Sequence, residues 1–462
     1  MEILFIAYDN ESHISYFPIG IGYLASVLRA KGHTVTIYNQ DVYHYPEDHL
    51  VNFLERNHFD LVGIGVVGGY YQYRKLLKIS QAIKRVRRRP FFVIGGHGPS
   101  AEPEFFLRRT QADAVVVGEG EIILANLVDA IENKTSLAAV RGVAYWEGEG
   151  VKINAREEVI KDIDSIPMPA WDLFPMDHYT LMRYPGIKAW ERSFQVCGSR
   201  GCPFSCTFCY RMDPGYRRRS TESIIEELRR LKEAYHVTVF DFNDELFMYG
   251  ENRTISFCED LLRENLNIRF ACQGRLNYAS SKVLKLMKKA GCFFIGYGVE
   301  SLEQDALKRM NKSLTVRQII TGVENTINEG IQPGLYVMWG NIGENAESLH
   351  KTVDFLIKYS TGAQLRTIRP VTPYPGSSLY YYAVEKGLLE GPADFYENKH
   401  LNSDLLAVNF TDLSDAEFHR LLFEANKRLV EDFYEKQKRY QIDVMHKLYF
   451  EKNSTFRGFR QT

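Results

Sequence analysis

Three cysteines lie close together near the middle of this 462-residue chain, and their spacing suits iron–sulfur chemistry. Cys202, Cys206 and Cys209 form the pattern C-x-x-x-C-x-x-C. Three thiolates at this spacing can hold a four-iron four-sulfur cluster, but they leave its fourth iron open to an external molecule. A structural zinc site needs a fourth protein ligand, and the next cysteine, Cys258, lies outside the usual spacing. The pattern therefore favours a cluster with one open iron over zinc or inert packing.

The cysteine segment resembles the cluster-binding loop of the radical S-adenosylmethionine (SAM) enzymes, and the aromatic Phe208 before the last cysteine fits that family. The resemblance implies that the methionine end of SAM chelates the open iron. One electron from the cluster then cleaves SAM to a 5′-deoxyadenosyl radical, which removes hydrogen from unactivated carbon. The resemblance also implies an electron donor such as ferredoxin or flavodoxin.

The composition is that of an ordinary globular protein. Hydrophobic residues make up 45% and charged residues 25%, with a net charge of −1, so we expect no nucleic-acid partner. No run of about 18 apolar residues occurs, so no membrane span is expected. Seven cysteines, three of them clustered, argue against a secreted disulfide framework. We expect a cytoplasmic protein of two or three domains.

Residues 1–135 alternate short apolar strands with amphipathic helices. The predicted strands lie at 3–7, 35–38, 61–66, 91–94 and 114–117. Such alternation is typical of a doubly wound parallel sheet, which binds ligands at the carboxyl ends of its strands. Three of those ends carry glycine turns, at 67–69, 95–98 and 118–121. Glycine allows a backbone to approach a bulky ligand closely.

Together with residues 18–25, these turns resemble the cobalamin-binding domain that precedes many radical SAM domains. The cobalamin contacts that the resemblance implies are Pro18, Gly20, Gly68, Gly69, Tyr70, Gly95, Gly96, His97, Gly118, Glu119 and Gly120. The motif D-x-H-x-x-G is absent, because His13 follows the first strand without that spacing. This departure implies cobalamin without a histidine ligand on cobalt. A degenerate domain that binds no cobalamin is the alternative.

Residues 136–190 are a predicted linker with a small hairpin at 143–153, and their segment 166–172 resembles the linker of the same combined architecture. From 191 to 378 strands and helices alternate again, with strands at 194–197, 237–242, 268–272, 293–297, 334–339 and 364–370. This pattern predicts a partial (β/α)6 barrel of the TIM type, with its site at the strand carboxyl ends. Residues 379–462 are predicted to be helical, most clearly at 416–437. The predicted fold class is thus α/β throughout the first two domains.

Polar residues at the ends of the barrel strands are the predicted SAM contacts. A cationic SAM amine requires acceptors beside the cluster, and the resemblance gives this role to Asp244 and Glu245; capping of the next helix is the alternative. Arg275 is expected either to bind the SAM carboxylate or to pair with Asp244. The other predicted SAM contacts are Phe208, Glu300, Ser301, Gly340 and Ile342. Glu344 is either a ligand or a charge at a helix N-terminus.

The leading hypothesis is a methyltransferase that moves a methyl group from methylcobalamin to an unactivated carbon, after the deoxyadenosyl radical has removed hydrogen. The alternative is an oxidative cyclase or rearrangement enzyme, like the anaerobic cyclase of bacteriochlorophyll synthesis. A methylthiotransferase is rejected, because it needs a second cluster and residues 1–196 contain no cysteine. The expected substrate is a small metabolite, a lipid or a protein side chain such as a glutamine, and no motif decides between them.

Overall fold

The computed structural model describes residues 1–11, 15–183 and 186–452; His13 lies outside them. A seven-stranded sheet forms the first domain, in the order β2-β1-β3-β4-β5-β6-β7. Its strands are β1 (Glu2–Ala7), β2 (Thr34–Asn39), β3 (Leu61–Gly65), β4 (Phe91–Gly95), β5 (Ala114–Val116), β6 (Val143–Glu147) and β7 (Gly150–Ile153). Strands β1 to β5 are parallel, as predicted, and the last two are antiparallel. The hairpin predicted for the linker therefore extends the first sheet.

Helices cover both faces of this sheet, which explains why strands such as β1 are apolar on both sides. They span Ile19–Ala30, Gln40–Tyr43, Glu47–Arg56, Tyr70–Lys84, His97–Ala101, Pro103–Thr110 and Gly120–Glu132. The connections reverse direction between β1 and β3, so a crevice opens at the carboxyl ends of these strands. Short turns of helix follow at Leu137–Ala139, Ile163–Ser165, Trp171–Leu173 and Met176–Tyr179.

The second domain is a curled, six-stranded parallel sheet in the order β15-β14-β13-β12-β11-β8. Its strands are β8 (Arg192–Val196), β11 (Val237–Phe242), β12 (Arg269–Gly274), β13 (Cys292–Glu300), β14 (Gln332–Trp339) and β15 (Arg369–Pro370). A two-stranded ribbon, β9 (Ser199–Arg200) with β10 (Arg217–Arg218), follows β8. The predicted α/β fold with a partial barrel is confirmed, although the last strand is much shorter than the predicted 364–370.

Helices between the barrel strands form its outer layer. They span Thr221–Tyr235, Glu251–Glu264, Leu276–Tyr278, Ser281–Lys289, Gln304–Arg309, Val316–Asn328 and Ala346–Lys358. Side chains on β11 alternate accordingly: Phe242 packs edge-on against Phe257 of an outer helix, with ring centroids 5.6 Å apart. Asp241, its neighbour, therefore points into the barrel.

The C-terminal region contains the helices Ser378–Glu385, Asp394–Lys399 and Asp415–Tyr449. The last is longer than the predicted 416–437, and Phe418 near its start stacks on Trp339 at the end of β14. Tyr396 packs against Tyr73 of the first domain, with ring centroids 5.1 Å apart. This region thus contacts both sheets. No helix in the described part of the chain is long and apolar enough to cross a membrane.

Candidate cofactor site

The cysteine segment lies between β9 and β10, at the carboxyl edge of the half-barrel. Cys202 and Cys206 are half-buried and Cys209 is exposed, whereas Cys258 is buried in the core. Within the described ranges, no three His, Cys, Asp or Glu side chains converge on a single metal ion. A four-iron cluster does not require such convergence, because each cysteine binds a different iron.

Backbone hydrogen bonds fix the cysteine segment in its place. The Thr207 amide donates to the Met310 carbonyl at 2.9 Å, and the Leu379 amide donates to the Thr207 carbonyl at 2.8 Å. Gly201 has φ +80°, and a Cβ there would overlap the Gly215 carbonyl oxygen. Only glycine fits this crossing just before the first cysteine.

The two carboxylates at the end of β11 have different surroundings. Asp244 is 3% exposed and accepts hydrogen bonds from the Gly198 amide, at 3.0 Å, and from the Ser199 hydroxyl. Burial raises its pKa to about 6. Glu245 is exposed. Burial raises the pKa of the Cys209 thiol to about 12, and the negative charge of Glu245 adds to this shift. Asp244 thus holds the start of the cysteine segment, while the charge of Glu245 acts on the thiols of Cys202 and Cys209.

Arg275 lies against the cysteine segment with unused hydrogen-bond donors. Its guanidinium carbon is 3.6 Å from the centroid of the Phe204 ring. Its Nε and Nη2 atoms are buried and have no hydrogen-bond partner in the described part of the chain. Burial lowers its pKa, and the nearby Cys206 opposes this shift. No ion pair with Asp244 is present among those residues, so the alternative that Arg275 pairs with Asp244 is wrong.

The predicted SAM contacts Glu300 and Ser301 each pair with another buried side chain. Glu300 has φ +64° and pairs with Lys312 at 2.8 Å, and the Lys312 ammonium lies 5.9 Å from the Phe208 ring centroid. Ser301 is fully buried and donates to Glu344 at 2.6 Å. These side chains are committed to one another within the protein.

Glu344 shapes the turn after β14. Its carboxylate accepts hydrogen bonds from the Gly340 and Asn341 amides, at 3.1 and 3.0 Å. The Ile342 amide in turn donates to the Asn341 side chain at 2.7 Å. Burial raises the pKa of Glu344 to about 7. Glu344 directly precedes Asn345, the N-cap of the next helix, as one of its two predicted roles requires, and its role as a ligand stays a prediction.

The glycine turns of the first sheet pack directly on one another. Gly96 has φ +98°, and a Cβ there would overlap the Val66 carbonyl oxygen; a Cβ on Gly68 would lie 3.1 Å from the Gly98 Cα. Gly69 precedes the helix that Tyr70 begins, and Gly95 ends β4. Pro18 precedes the helix that contains Gly20, which has open space around it. The turns are therefore held together by close backbone contact, and the side chain of Val67 beside them is exposed.

An ion-pair cluster joins the two carboxyl edges. Glu119, in the turn between Gly118 and Gly120, accepts two hydrogen bonds from Arg217, each 2.7 Å long. Arg200 pairs with Glu121 at 2.6 Å, so both strands of the ribbon contact this turn. His97 lies edge-on to Tyr210, just after the last cysteine, with ring centroids 6.2 Å apart. The glycine turns and the cysteine segment thus face each other.

Sequence reasoning missed this contact. The predicted cobalamin contact of Glu119 stays a prediction, and the sequence did not indicate that its carboxylate pairs with Arg217. The two residues are 98 positions apart, so no local pattern links them. The only available indication in the sequence was the opposite charge of Glu119, after β5, and Arg217, in the segment that follows the cysteines.

Comparison with known proteins identifies the family. A B12 binding domain model matches residues 10–128, and a Radical SAM superfamily model matches residues 196–356. The uncharacterized methyltransferase PH0819 of Pyrococcus horikoshii is 31% identical over 402 residues, which cover 84% of each chain. The chain belongs to the cobalamin-dependent radical SAM enzymes. The cofactors predicted from the sequence, a 4Fe–4S cluster, SAM and cobalamin, are those of this family.

Two further proteins resemble this radical SAM enzyme. The anaerobic magnesium-protoporphyrin IX monomethyl ester cyclase of Rubrivivax gelatinosus is 28% identical over 374 residues, covering 79% of this chain and 65% of the cyclase. The structure of the radical SAM methyltransferase TsrM from Kitasatospora setae superposes with a TM-score of 0.68 at 17% identity. It covers 85% of this chain and 79% of TsrM, and it shows the shared fold.

The donors present fit the cofactors of the family. Cys202, Cys206 and Cys209 are the accessible thiols of their segment. The unpaired buried nitrogens of Arg275 lie beside them and suit a carboxylate. On the facing side, Gly20 has open space where a Cβ would stand, so a ligand can approach its backbone. The site residues themselves remain predictions.

Proposed function

We propose that this enzyme transfers a methyl group to an unactivated carbon of its substrate, with SAM as the methyl source and cobalamin as the carrier. The supporting observation is the contact of Glu119 with Arg217, which brings the glycine turns against the cysteine segment. When bound, the cofactors supply a hydrogen-abstracting carbon radical and a methyl group on cobalt. Both reactive centres must reach one substrate carbon, and facing edges meet that need.

The proposed roles of the residues follow from their positions. Cys202, Cys206 and Cys209 would hold the cluster. Glu245 would bind the SAM amine, and Arg275 would bind the SAM carboxylate through its unpaired nitrogens. The turn at 340–342 would contact adenine through its backbone. The closely packed turns at 68–69, 95–97 and 118–120 would hold cobalamin.

An oxidative cyclase is the second candidate, because a cyclase from Rubrivivax gelatinosus is 28% identical to this chain. The uncharacterized methyltransferase PH0819 from Pyrococcus horikoshii is 31% identical to this chain. The matched residues cover 84% of that protein, compared with 65% of the cyclase. We therefore place methylation first. The two reactions consume SAM differently, so products can distinguish them.

The test uses anaerobically reconstituted enzyme with cluster, cobalamin, SAM and reduced flavodoxin or ferredoxin. Candidate substrates are screened for methylated product by mass spectrometry. Methylation consumes two SAM molecules, so one S-adenosylhomocysteine and one 5′-deoxyadenosine should form per product. A cyclase would form 5′-deoxyadenosine without matching S-adenosylhomocysteine. Substrate conversion with the second pattern would contradict the proposal.

A further inference from the structure

A groove of about 450 Å³ lies between β10 and two of the outer helices of the half-barrel. Its walls come from β10, from the N-terminus of the helix Thr221–Tyr235 and from the helix Glu251–Glu264. Its volume is in the range of sites that bind small molecules. Five of its nine lining residues are cationic: Lys161, Arg217, Arg218, Arg219 and Arg253.

Two of these five cations are already neutralised by carboxylates of the protein. Arg217 pairs with Glu119 at 2.7 Å, and Arg219 pairs with the buried Glu227. Asp164 lies 3.8 Å from Arg219 and adds a second negative charge beside it. These contacts fix the wall of the groove, and they leave Arg217 and Arg219 little charge to attract a ligand.

The other three cations have no carboxylate partner. Lys161, Arg218 and Arg253 form no ion pair in the part of the chain that the structure describes. Arg218 Nη1 donates to the Arg253 carbonyl at 3.1 Å, and Arg218 Nη2 is buried with no hydrogen-bond partner among the same residues. The guanidinium carbon of Arg218 lies 5.8 and 5.7 Å from the ring centroids of Phe247 and Phe257. Aromatic rings therefore surround this cation where a counterion is expected.

Arg218 and Arg253 are like charges close to each other. Burial lowers the pKa of Arg218, and the positive charge of Arg253 adds to this shift. The Asp244 carboxylate opposes the shift, but it already accepts hydrogen bonds from Gly198 and Ser199. An anion bound by both arginines would offset their repulsion and accept from their free N–H groups.

The neutral residues of the groove also favour an anion. Ser220 and Thr221 line it at the N-terminus of a 15-residue helix, whose dipole adds positive potential there. The hydroxyl group of Ser256 is a further donor. None of the described residues that line the groove is acidic.

We propose that this groove binds a small molecule through a phosphate or pyrophosphate group. The phosphoryl oxygens accept hydrogen bonds from Arg218 and Arg253, because the planar guanidinium fork matches phosphate geometry. Lys161 contributes the third positive charge. A monocarboxylate would balance only part of this charge, and a cationic or apolar ligand would balance none of it. This binding site does not depend on the proposed function.

Three probes test the ligand class: pyrophosphate, orthophosphate and acetate. Each is titrated into the full chain by isothermal titration calorimetry at one ionic strength. Pyrophosphate should bind at least about tenfold more tightly than acetate, with orthophosphate between them, because affinity follows the charge that is neutralised. Acetate that binds as tightly as pyrophosphate would overturn the proposal.

A second titration distinguishes a separate ligand from the phosphate group that cobalamin itself carries. Pyrophosphate should bind equally well with and without saturating hydroxocobalamin. Displacement of pyrophosphate by hydroxocobalamin would assign the groove to the cofactor and overturn the proposal.

Variants place the probe in the groove. Arg218→Gln should weaken pyrophosphate binding by about 10- to 150-fold, because a charge-assisted hydrogen bond is lost. Circular dichroism checks folding; if that variant fails to fold, the exposed Arg253→Gln replaces it, with an expected loss of about fivefold.

Arg88→Gln is the matched control. Arg88 is exposed in the basic run at 84–89 and forms no ion pair within the described ranges. Its loss should leave pyrophosphate binding unchanged. Equal losses in the control and the groove variant would show unspecific attraction to basic surface and refute the proposal. A failed methylation assay with intact pyrophosphate binding would refute the proposed function alone.

Discussion

The two carboxyl edges that face each other in this enzyme differ in composition: glycine turns dominate one, and charged side chains and cysteines dominate the other. At the edge of the first sheet, Gly68 and Gly96 allow close backbone contact between turns, and the side chains of Glu119 and Glu121 pair with arginines of the ribbon. At the edge of the half-barrel, Asp244, Glu245 and Arg275 are charged side chains around a cysteine segment. Backbone can fit a large ligand by shape, whereas charged side chains fix a small ligand by its groups. The following predictions test that division, from the largest effect to the smallest.

The half-barrel edge should hold iron only through its three accessible cysteines. Changing Cys202, Cys206 and Cys209 together to alanine should abolish the brown chromophore and bound iron, because no other thiolates replace them. Iron analysis after anaerobic reconstitution measures this, with Cys258→Ala in the buried core as the control. Full iron in the triple variant would place the cluster elsewhere. Cobalamin binding should persist in that variant.

The first edge should depend on the absence of a side chain. Gly96 has φ +98° and ψ −172°, a conformation that is essentially restricted to glycine. Gly96→Ala should therefore shift the turn and reduce cobalamin affinity by at least about tenfold, while iron content stays unchanged. Gly150→Ala is the control, because a Cβ there makes only ordinary contacts. Normal cobalamin affinity in the Gly96 variant would show that this turn does not take part in cobalamin binding.

The two carboxylates after β11 should differ in what they control. Glu245→Gln should weaken SAM by about 10- to 150-fold through loss of one charge-assisted hydrogen bond. Asp244→Asn should instead lower thermal stability, because its partners are Gly198 and Ser199 of the protein. Anaerobic SAM titration on fully loaded cluster compares the two variants. A larger SAM defect in Asp244→Asn would reverse the assignment.

Glu344 should impose a pH dependence on stability. Its folded pKa of about 7 lies above the ordinary value of 4.5 because of burial. Between about pH 4.5 and pH 7, Glu344 is protonated in the folded state but ionised in the unfolded state. The protonated Glu344 therefore contributes its full stabilisation of the folded state below about pH 4.5, and this contribution is lost as the pH rises to about 7. Glu344→Gln should flatten the decline by about 1–3 kcal/mol, measured by denaturant unfolding at several pH values. An unchanged slope would show that Glu344 does not titrate in this interval.

Much of the fold follows from the sequence because parallel strands and their helices have strong local patterns. The first strand was predicted at 3–7 and spans Glu2–Ala7. The last barrel strand was predicted too long, because Arg366 turns inward and donates to the Pro333 carbonyl at 2.8 Å. The hairpin at Val143–Ile153 was recognised, but its pairing with β5 depends on distant residues.

The site was predictable where its chemistry is local. The three cysteines have a spacing that no other segment shares. The partners of Glu119 and Arg275 were not predictable, because each contact joins turns that only the folded chain brings together. Polar side chains at strand ends therefore predict where the site lies, but not which contact each residue makes.

The central claim is that the two edges hold cobalamin and the cluster close together. Electron paramagnetic resonance of anaerobic enzyme with cob(II)alamin and reduced cluster tests this most directly, with the triple cysteine variant as the matched control. Magnetic coupling between neighbouring paramagnets should broaden the cob(II)alamin signal and speed its relaxation in the enzyme, but not in the variant. Identical cob(II)alamin signals in the two proteins would contradict the account.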